Sequence, residues 1–400
     1  MERFATASEM IRKRRPERPV LGLRPQAAGR AAQWFLKHFD GDVAYAYKAN
    51  SSVFLLGALY GAGIRHFDVA SLPELEDAAT IPGVEMHFMH PVKSRSAIKR
   101  AYDLGVRSFS LDSEDELKKI VEETRQSTGP ARDLRLFVRV AVPAINSLIP
   151  LENKFGLDGI AAAKLLMKTR QVAAELGITF HVGSQTSTPD AFVTALDSVR
   201  VLIGQAGVVV DCLDVGGGFP AKYPNSDPDP LVDFIKAIDD GVEELPVRED
   251  VRLMCEPGRA LVSEAESVIV RVDARRGNNL FINDGGYGTL FDAAHLGFVF
   301  PANRILTDKE RGSDRPRMEG FELWGPTCDS IDHMPGPFLL PSDIDEGDYI
   351  EIGNIGAYGR ALAGKFNGYG TYDEVILADA PFASMYDSKT VKASQVVQSV

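Results

Sequence analysis

Cysteine is scarce in this 400-residue chain. Cys212, Cys255 and Cys328 are the only three, too few and too scattered for a disulfide framework, and no Cys-x-x-Cys spacing points to zinc. That fits a reducing, cytoplasmic setting. No apolar run approaches the roughly 18 residues that a bilayer-spanning helix needs. Positive charge is also in deficit: 44 Lys and Arg stand against 56 Asp and Glu, a net charge of -12. Such a balance disfavours nucleic acid and anionic membrane as partners and suits a cationic small molecule. The one basic run, Arg12-Lys13-Arg14-Arg15, is followed by Pro16-Glu17-Arg18-Pro19 and not by the apolar core of a signal peptide, so residues 1–19 read as a solvated leader.

What is present is the material of a large folded protein, 44% hydrophobic and 25% charged. Its length suggests two domains, one of which could be a barrel using roughly 250 residues by itself. Short β-like runs recur from Val43-Ala44-Tyr45-Ala46-Tyr47 onward, at 65–70, 85–89, 107–111, 135–140, 178–182, 208–215 and 251–255. Helical spacing lies between them, as at 113–123, 160–176 and 191–206. Eight strand–helix units predict a parallel sheet with helical crossovers, closed into an α/β (β/α)8 barrel over residues 20–262. Beyond 262 helical periodicity nearly vanishes, and β-like runs at 268–272, 280–282, 348–352 and 374–377 predict an all-β domain over 263–400, which residues 1–19 could join. After Asp387 the sequence reads as a frayed tail.

Barrel enzymes carry their chemistry at the C-terminal ends of the strands. The first strand ends in Lys48, either a structural lysine paired with a core carboxylate or a nucleophile able to form an imine. The sixth ends in His181-Val182-Gly183-Ser184-Gln185, placing a ring and a hydroxyl on the same face. The seventh ends in Gly216-Gly217-Gly218, whose backbone N–H groups can approach a phosphate closely. The eighth ends in Glu256-Pro257-Gly258-Arg259, a carboxylate, a tight turn and an arginine. Lysine, phosphate nest, arginine and acid at one mouth are what a pyridoxal phosphate site requires, the acid keeping the pyridine nitrogen protonated. Elsewhere, Cys212 and Cys255 read as core thiols. His66, His87 and His90 read as satisfied barrel residues and not as ligands, so no metal is expected.

Tyr45-Ala46-Tyr47-Lys48-Ala49-Asn50, His181 to Gln185, Gly216-Gly217-Gly218-Phe219-Pro220 and Glu256 to Arg259 occur in order. So do Trp324-Gly325-Pro326-Thr327-Cys328-Asp329-Ser330 and Gly356-Ala357-Tyr358. Over about residues 20 to 375 the chain resembles the fold-type III pyridoxal phosphate-dependent decarboxylases of ornithine, lysine, diaminopimelate and arginine. The resemblance implies a homodimer with shared active sites. It makes Lys48 the Schiff-base lysine, Glu256 the partner of the pyridine nitrogen and His181 the residue stacked on the ring. Phosphate falls to Ser184, Gly216, Gly217, Gly218, Gly258, Arg259 and Tyr358. Asp68 and Glu74 match acidic positions near the lysine, and Arg139 a supporting arginine. Cys328 becomes the proton donor reaching into the partner's site. Asp329, Asp292 and Tyr287 become substrate contacts, the two carboxylates binding the distal amine.

The Cys328-Asp329 pairing is similar to ornithine decarboxylases, including short bacterial forms that also accept lysine, whereas diaminopimelate enzymes usually carry Glu after the cysteine. Gln185 is also common among diaminopimelate enzymes, and the segment from Tyr287 to Asp292 is shorter than in eukaryotic ornithine enzymes. Ornithine to putrescine is therefore the first expectation, as a step of polyamine biosynthesis; lysine, or both, is the second and diaminopimelate the third. Two further readings stay open, an inactive regulatory relative and a single-barrel cofactor carrier. The second domain and its Cys328 loop stand against the carrier, and the complete set of cofactor and acid residues against the regulator.

Overall fold

The computed structural model describes residues 1–151, 154–306 and 317–386. Eight parallel strands close into a barrel: β1 (Asp42–Ala46), β2 (His66–Val69), β3 (Glu85–Phe88), β4 (Ser108–Leu111), β5 (Arg135–Arg139), β6 (Glu175–Thr179), β7 (Cys212–Asp214) and β8 (Arg252–Cys255). Period-two alternation decides which side chains fill it. On β5, Leu136 and Val138 face the surrounding helices, while Phe137 belongs to a separate buried group with Ala44, Met89, Cys212 and Met254. Gly177 on β6 makes room for that ring, since a Cβ there would run into Phe137.

The turns at the mouth are set by serines. Ser71, Ser94 and Ser113 follow β2, β3 and β4, and each accepts a backbone N–H three residues on as the N-cap of the next helix. Such caps contribute about 1 kcal/mol each and fix where the mouth loops end.

Two elements differ from the sequence reading. The helix expected over 160–176 stops at Arg170, and β6 begins at Glu175 instead of 178. Ala173-Ala174-Glu175-Leu176 favours helix locally, but pairing of Glu175–Thr179 with β5 and of Gly177–Thr179 with β7 overrides that preference. Asp211 helps by accepting the Leu176 N–H at 2.9 Å. His181 consequently sits in a loop two residues past the strand.

Residues 1–19 are not a solvated leader. Ala7–Arg14 is a helix capped by Thr6, with Ala7, Met10 and Ile11 buried against Val20, Ile269, Tyr349 and Leu377. The basic run occupies its last turn, where cations complement the exposed carbonyls, and Lys13 pairs with Glu9 at 2.7 Å.

Among the described residues a second sheet of nine strands includes Arg3–Phe4 and Val20–Leu23. Its spine is Glu266–Arg276, paired antiparallel with Val20–Leu23, Asn279–Ile282 and Tyr349–Ile352. Residues 20–23 therefore pair in this sheet, although the sequence reading began the barrel domain at 20. Arg24 ties them in from a buried position, donating to Ser267 at 2.9 Å, Glu351 at 2.8 Å and Asp379 at 2.9 Å. The tail after Asp387 lies outside the described residues.

Candidate active site

Lys48 stands in a 3-10 turn, Tyr47–Ala49, at the end of β1. The turn is clamped from the second sheet. The Tyr358 N–H donates to Ala49 O at 2.8 Å, and the Asn50 amide donates to Gly356 O at 2.8 Å and to Glu266 Oε2 at 2.7 Å. Lys48 Nζ meets Asp68 Oδ2 at 3.0 Å, with the lysine side chain 41% exposed and the aspartate 3%. Burial alone would lower the amine's pKa, but Asp68, with Tyr358 and Glu256 beyond it, outweighs this and holds it above its ordinary value. Lys48 opens onto a cavity of about 430 Å³, whose walls include Arg139, His181, Ser184, Glu256 and Tyr358.

Glu256 is 5% exposed, and its Oε1 is buried with no hydrogen-bond partner among the described residues. Desolvation, and then the charges of Asp214 and Asp68, push its carboxyl well above the usual range. Asp214 beneath it is raised by burial too, though it accepts from Thr179 Oγ1 at 2.6 Å and Gly216 N at 2.9 Å. Those bonds favour the ionised form of Asp214, leaving Glu256 the more protonated of the two. His181 accepts the Gly183 N–H on Nδ1 at 3.1 Å; burial, then Arg139 and Lys48, keep the ring neutral by lowering its pKa far below the ordinary value.

The glycine triplet is required by close approach. Gly216 (φ +68°) leaves no room for a Cβ against Phe180 O. A Cβ on Gly217 would lie 2.7 Å from Glu256 O, and one on Gly218 (φ +105°) 2.6 Å from Gly183 O. Arg259 closes the corner. It is 4% exposed, its Nε is 3.5 Å from Ser184 Oγ, and its guanidinium lies 5.0 Å from the Tyr358 ring centre. Gly258 brings the chain in beside Tyr358, whose hydroxyl would be 3.5 Å from a Cβ there.

Two sequence-predicted residues, Asp292 and Glu74, are placed otherwise than expected. Asp292 is no open substrate carboxylate: 5% exposed, it takes Arg259 Nη2 at 2.9 Å, while Tyr223 OH takes Nη1 at 3.2 Å. A buried guanidinium needs a counter-charge, and Asp292 is within reach of it. Glu74 turns back to accept the Ala70 N–H at 2.7 Å, closing a box with Ser71 at its helix start. Cys328 and Asp329, in the loop between Met318–Trp324 and His333–Pro341, do not line the Lys48 cavity. Cys328 is exposed, with its N–H on Asn367 Oδ1 at 3.1 Å. Asp329 accepts Tyr287 OH at 2.6 Å, which lowers the aspartate's pKa and raises the tyrosine's.

The sequence reading missed Asn50 and Tyr223, and it missed Lys154 and Phe155 on the cavity wall. Lys154-Phe155-Gly156 carried a usable signal, a cation and a ring ahead of a glycine that has φ +100°.

A family model for the pyridoxal binding domain of pyridoxal-dependent decarboxylases matches residues 26–263. The lysine/ornithine decarboxylase of Selenomonas ruminantium is 32% identical over 363 residues, 87% of each chain. The ornithine decarboxylase of Caenorhabditis elegans is 32% identical over 355 residues, 81% of this chain and 79% of that one. Among solved structures, the arginine decarboxylase of Paramecium bursaria Chlorella virus bound to agmatine aligns with TM-score 0.80 and 26% identity, covering 92% of this chain and 98% of that one. A closed barrel with a lysine, a glycine cradle and a buried acid at its mouth is the frame of a pyridoxal phosphate enzyme. The chain belongs to the pyridoxal phosphate-dependent decarboxylases of basic amino acids, the ornithine, lysine and arginine family, and its cofactor is pyridoxal phosphate. The residues present fit that group. Glu256 Oε1 is the orphaned buried atom a protonated ring nitrogen would satisfy, and the glycine cradle beside Arg259 is shaped for a phosphate.

Proposed function

We propose that this enzyme decarboxylates ornithine to putrescine, with lysine as its second substrate. The observation that carries the reading is the Cys328-Asp329 pair. Asp329 is an ionised carboxylate held by Tyr287, suited to the ammonium at the far end of a diamino acid. A diaminopimelate site would also need groups for a distal carboxylate. With Asp292 engaged by Arg259, Asp329 takes the role that two carboxylates were expected to share. The relatives named for both lysine and ornithine support keeping lysine as the second substrate.

Pyridoxal phosphate, when bound, supplies the electron sink that makes loss of CO2 accessible. The chain's own residues do the rest. Arg259, Ser184, Tyr358 and the Gly216–Gly218 backbone hold the phosphate, and Gly258 lets Tyr358 come close. Glu256 would hold a proton on the ring nitrogen, and His181, kept neutral, would lie beside the ring without competing for charge. Asp68 sets the protonation of Lys48, and Arg139 supports the wall between them. Cys328 delivers a proton to the alpha carbon after CO2 has left. Because Cys328 and Asp329 stand apart from the Lys48 cavity of their own chain, the active unit is a homodimer in which each loop completes the partner's site, and it works in the cytoplasm.

A competition assay with ornithine, lysine, diaminopimelate and arginine, read as CO2 release, tests the substrate. Ornithine is expected to give the highest kcat/KM; a preference for diaminopimelate or arginine overturns the reading. Mixing Lys48→Ala and Cys328→Ala proteins tests the shared site, because only a shared site regains activity on mixing.

A further inference from the structure

At the end of the barrel opposite the active site, three side chains converge from adjacent strands. His66 opens β2, Glu85 opens β3, and His87 follows two residues later. His66 Nδ1 is 3.0 Å from His87 Nε2 and 3.9 Å from Glu85 Oε2. One ligand atom from each of the three lies within 4.8 Å of the others. We propose that His66, Glu85 and His87 form a divalent transition-metal site, best suited to zinc, that the decarboxylase chemistry does not use.

Two imidazole nitrogens and a carboxylate oxygen are a zinc ligand set, with a fourth position left for water. Zinc–nitrogen bonds of about 2.0–2.1 Å at tetrahedral angles put two nitrogens about 3.3 Å apart. The imidazoles therefore need to part by only a few tenths of an ångström, which partly exposed His66 permits. His87 is fully buried, and its Nδ1 is sealed in the barrel without a partner among the described residues, so Nε2 is the atom it can offer.

The surroundings orient the other two ligands as outer groups do in metal sites. Asp42 Oδ1 lies 3.3 Å from His66 Nε2, which turns Nδ1 inward. Arg135 takes Glu85 Oε1 at 3.0 Å and leaves Oε2 for the ion. Arg252 faces Asp42 at 3.8 Å. Asp42 and Glu85 thus balance Arg135 and Arg252, and a dication can enter without a net repulsive field.

The test uses holoenzyme stripped by a chelator and titrated with zinc chloride by calorimetry, with metal content measured on the same samples. One zinc per chain and a raised thermal midpoint are expected. His66→Ala and Glu85→Gln should each weaken zinc binding by at least about tenfold, and Asp42→Asn by about tenfold, with the cofactor absorbance band unchanged in all three. Absence of stoichiometric uptake, or equal affinity in both His66→Ala and Glu85→Gln, overturns the proposal and leaves two hydrogen-bonded imidazoles. His66 is partly exposed and Glu85 exposed, so both variants are expected to fold, at a small cost in stability.

Discussion

At the mouth of the barrel, charged groups face open space. Lys48 looks into a cavity, Glu256 Oε1 has no partner among the described residues, and the glycine triplet adds no side chain to the gap. At the opposite end, charged groups face one another. Arg135 alone reaches Glu85 at 3.0 Å, Glu175 at 2.5 Å and Ser108 at 3.2 Å. Similar residue types thus serve different ends according to whether strand geometry leaves them partners. Unmet groups at the mouth are an affinity for something that arrives from outside; the Arg135 contacts at the base fasten strands together.

Changes at the mouth should therefore destroy chemistry, and changes at the base should lower stability. Lys48→Ala should remove the protein-bound cofactor absorbance band and reduce CO2 release to background; an unchanged spectrum would break the contrast at once. Cys328→Ala should cut turnover by roughly 10²–10⁴-fold, the usual contribution of a positioned proton donor, with thermal midpoint and cofactor band intact. Asp292→Asn leaves the Arg259 guanidinium buried and unpaired, so the cofactor-free protein should lose about 3–5 kcal/mol in denaturant titration. Excess pyridoxal phosphate should restore much of that loss, since its phosphate offers the missing counter-charge. If the cofactor restores nothing, Arg259 is not a phosphate residue.

A pH series sharpens the comparison further. In the folded, cofactor-free protein Glu256 is raised above its ordinary value of 4.5, so the fold holds a proton that the unfolded chain releases. The stability this contributes is present in acid and falls away as pH rises from 4.5 through the raised value. The slope is about 1.4 kcal/mol per pH unit while the difference lasts. Glu256→Gln should flatten that decline, and with cofactor bound it should retain the absorbance band but turn over more slowly. At the base, Arg135→Met should cost about 1 kcal/mol of stability and leave kcat unchanged. A loss of turnover there would erase the distinction between the two ends.

The barrel was legible because alternating strands and helices repeat eight times, and repetition survives errors in any one unit. The mouth was legible because Lys48, Gly216 to Gly218 and Glu256 to Arg259 sit where strands end, a position that is itself a sequence pattern. What could not be read depended on register and partners. The Ala173 to Leu176 stretch has helical composition, and only its neighbours make it part of β6. Asp292 follows the Tyr287 segment in the manner of a substrate residue, yet an arginine on another element takes it. His66, Glu85 and His87 looked like ordinary strand residues because their meeting depends on how β2 registers against β3. The helix at Ala7–Arg14 was obscured by its basic last turn, although Ala7, Met10 and Ile11 already marked an apolar face.

The Asn50 side chain, bonded at once to Gly356 and Glu266, makes the two halves of this enzyme poor candidates for exchange with those of a relative. A chimera that kept this barrel but took another sheet would have to reproduce a carbonyl and a carboxylate at those two points, or the Lys48 turn would lose its mooring. Recombination breakpoints that respect the core but separate Asn50 from its acceptors should give folded proteins with slackened cofactor attachment. Breakpoints ahead of Asn50, as within the helix Pro25–His38, keep it with both acceptors and are the safer places to cut.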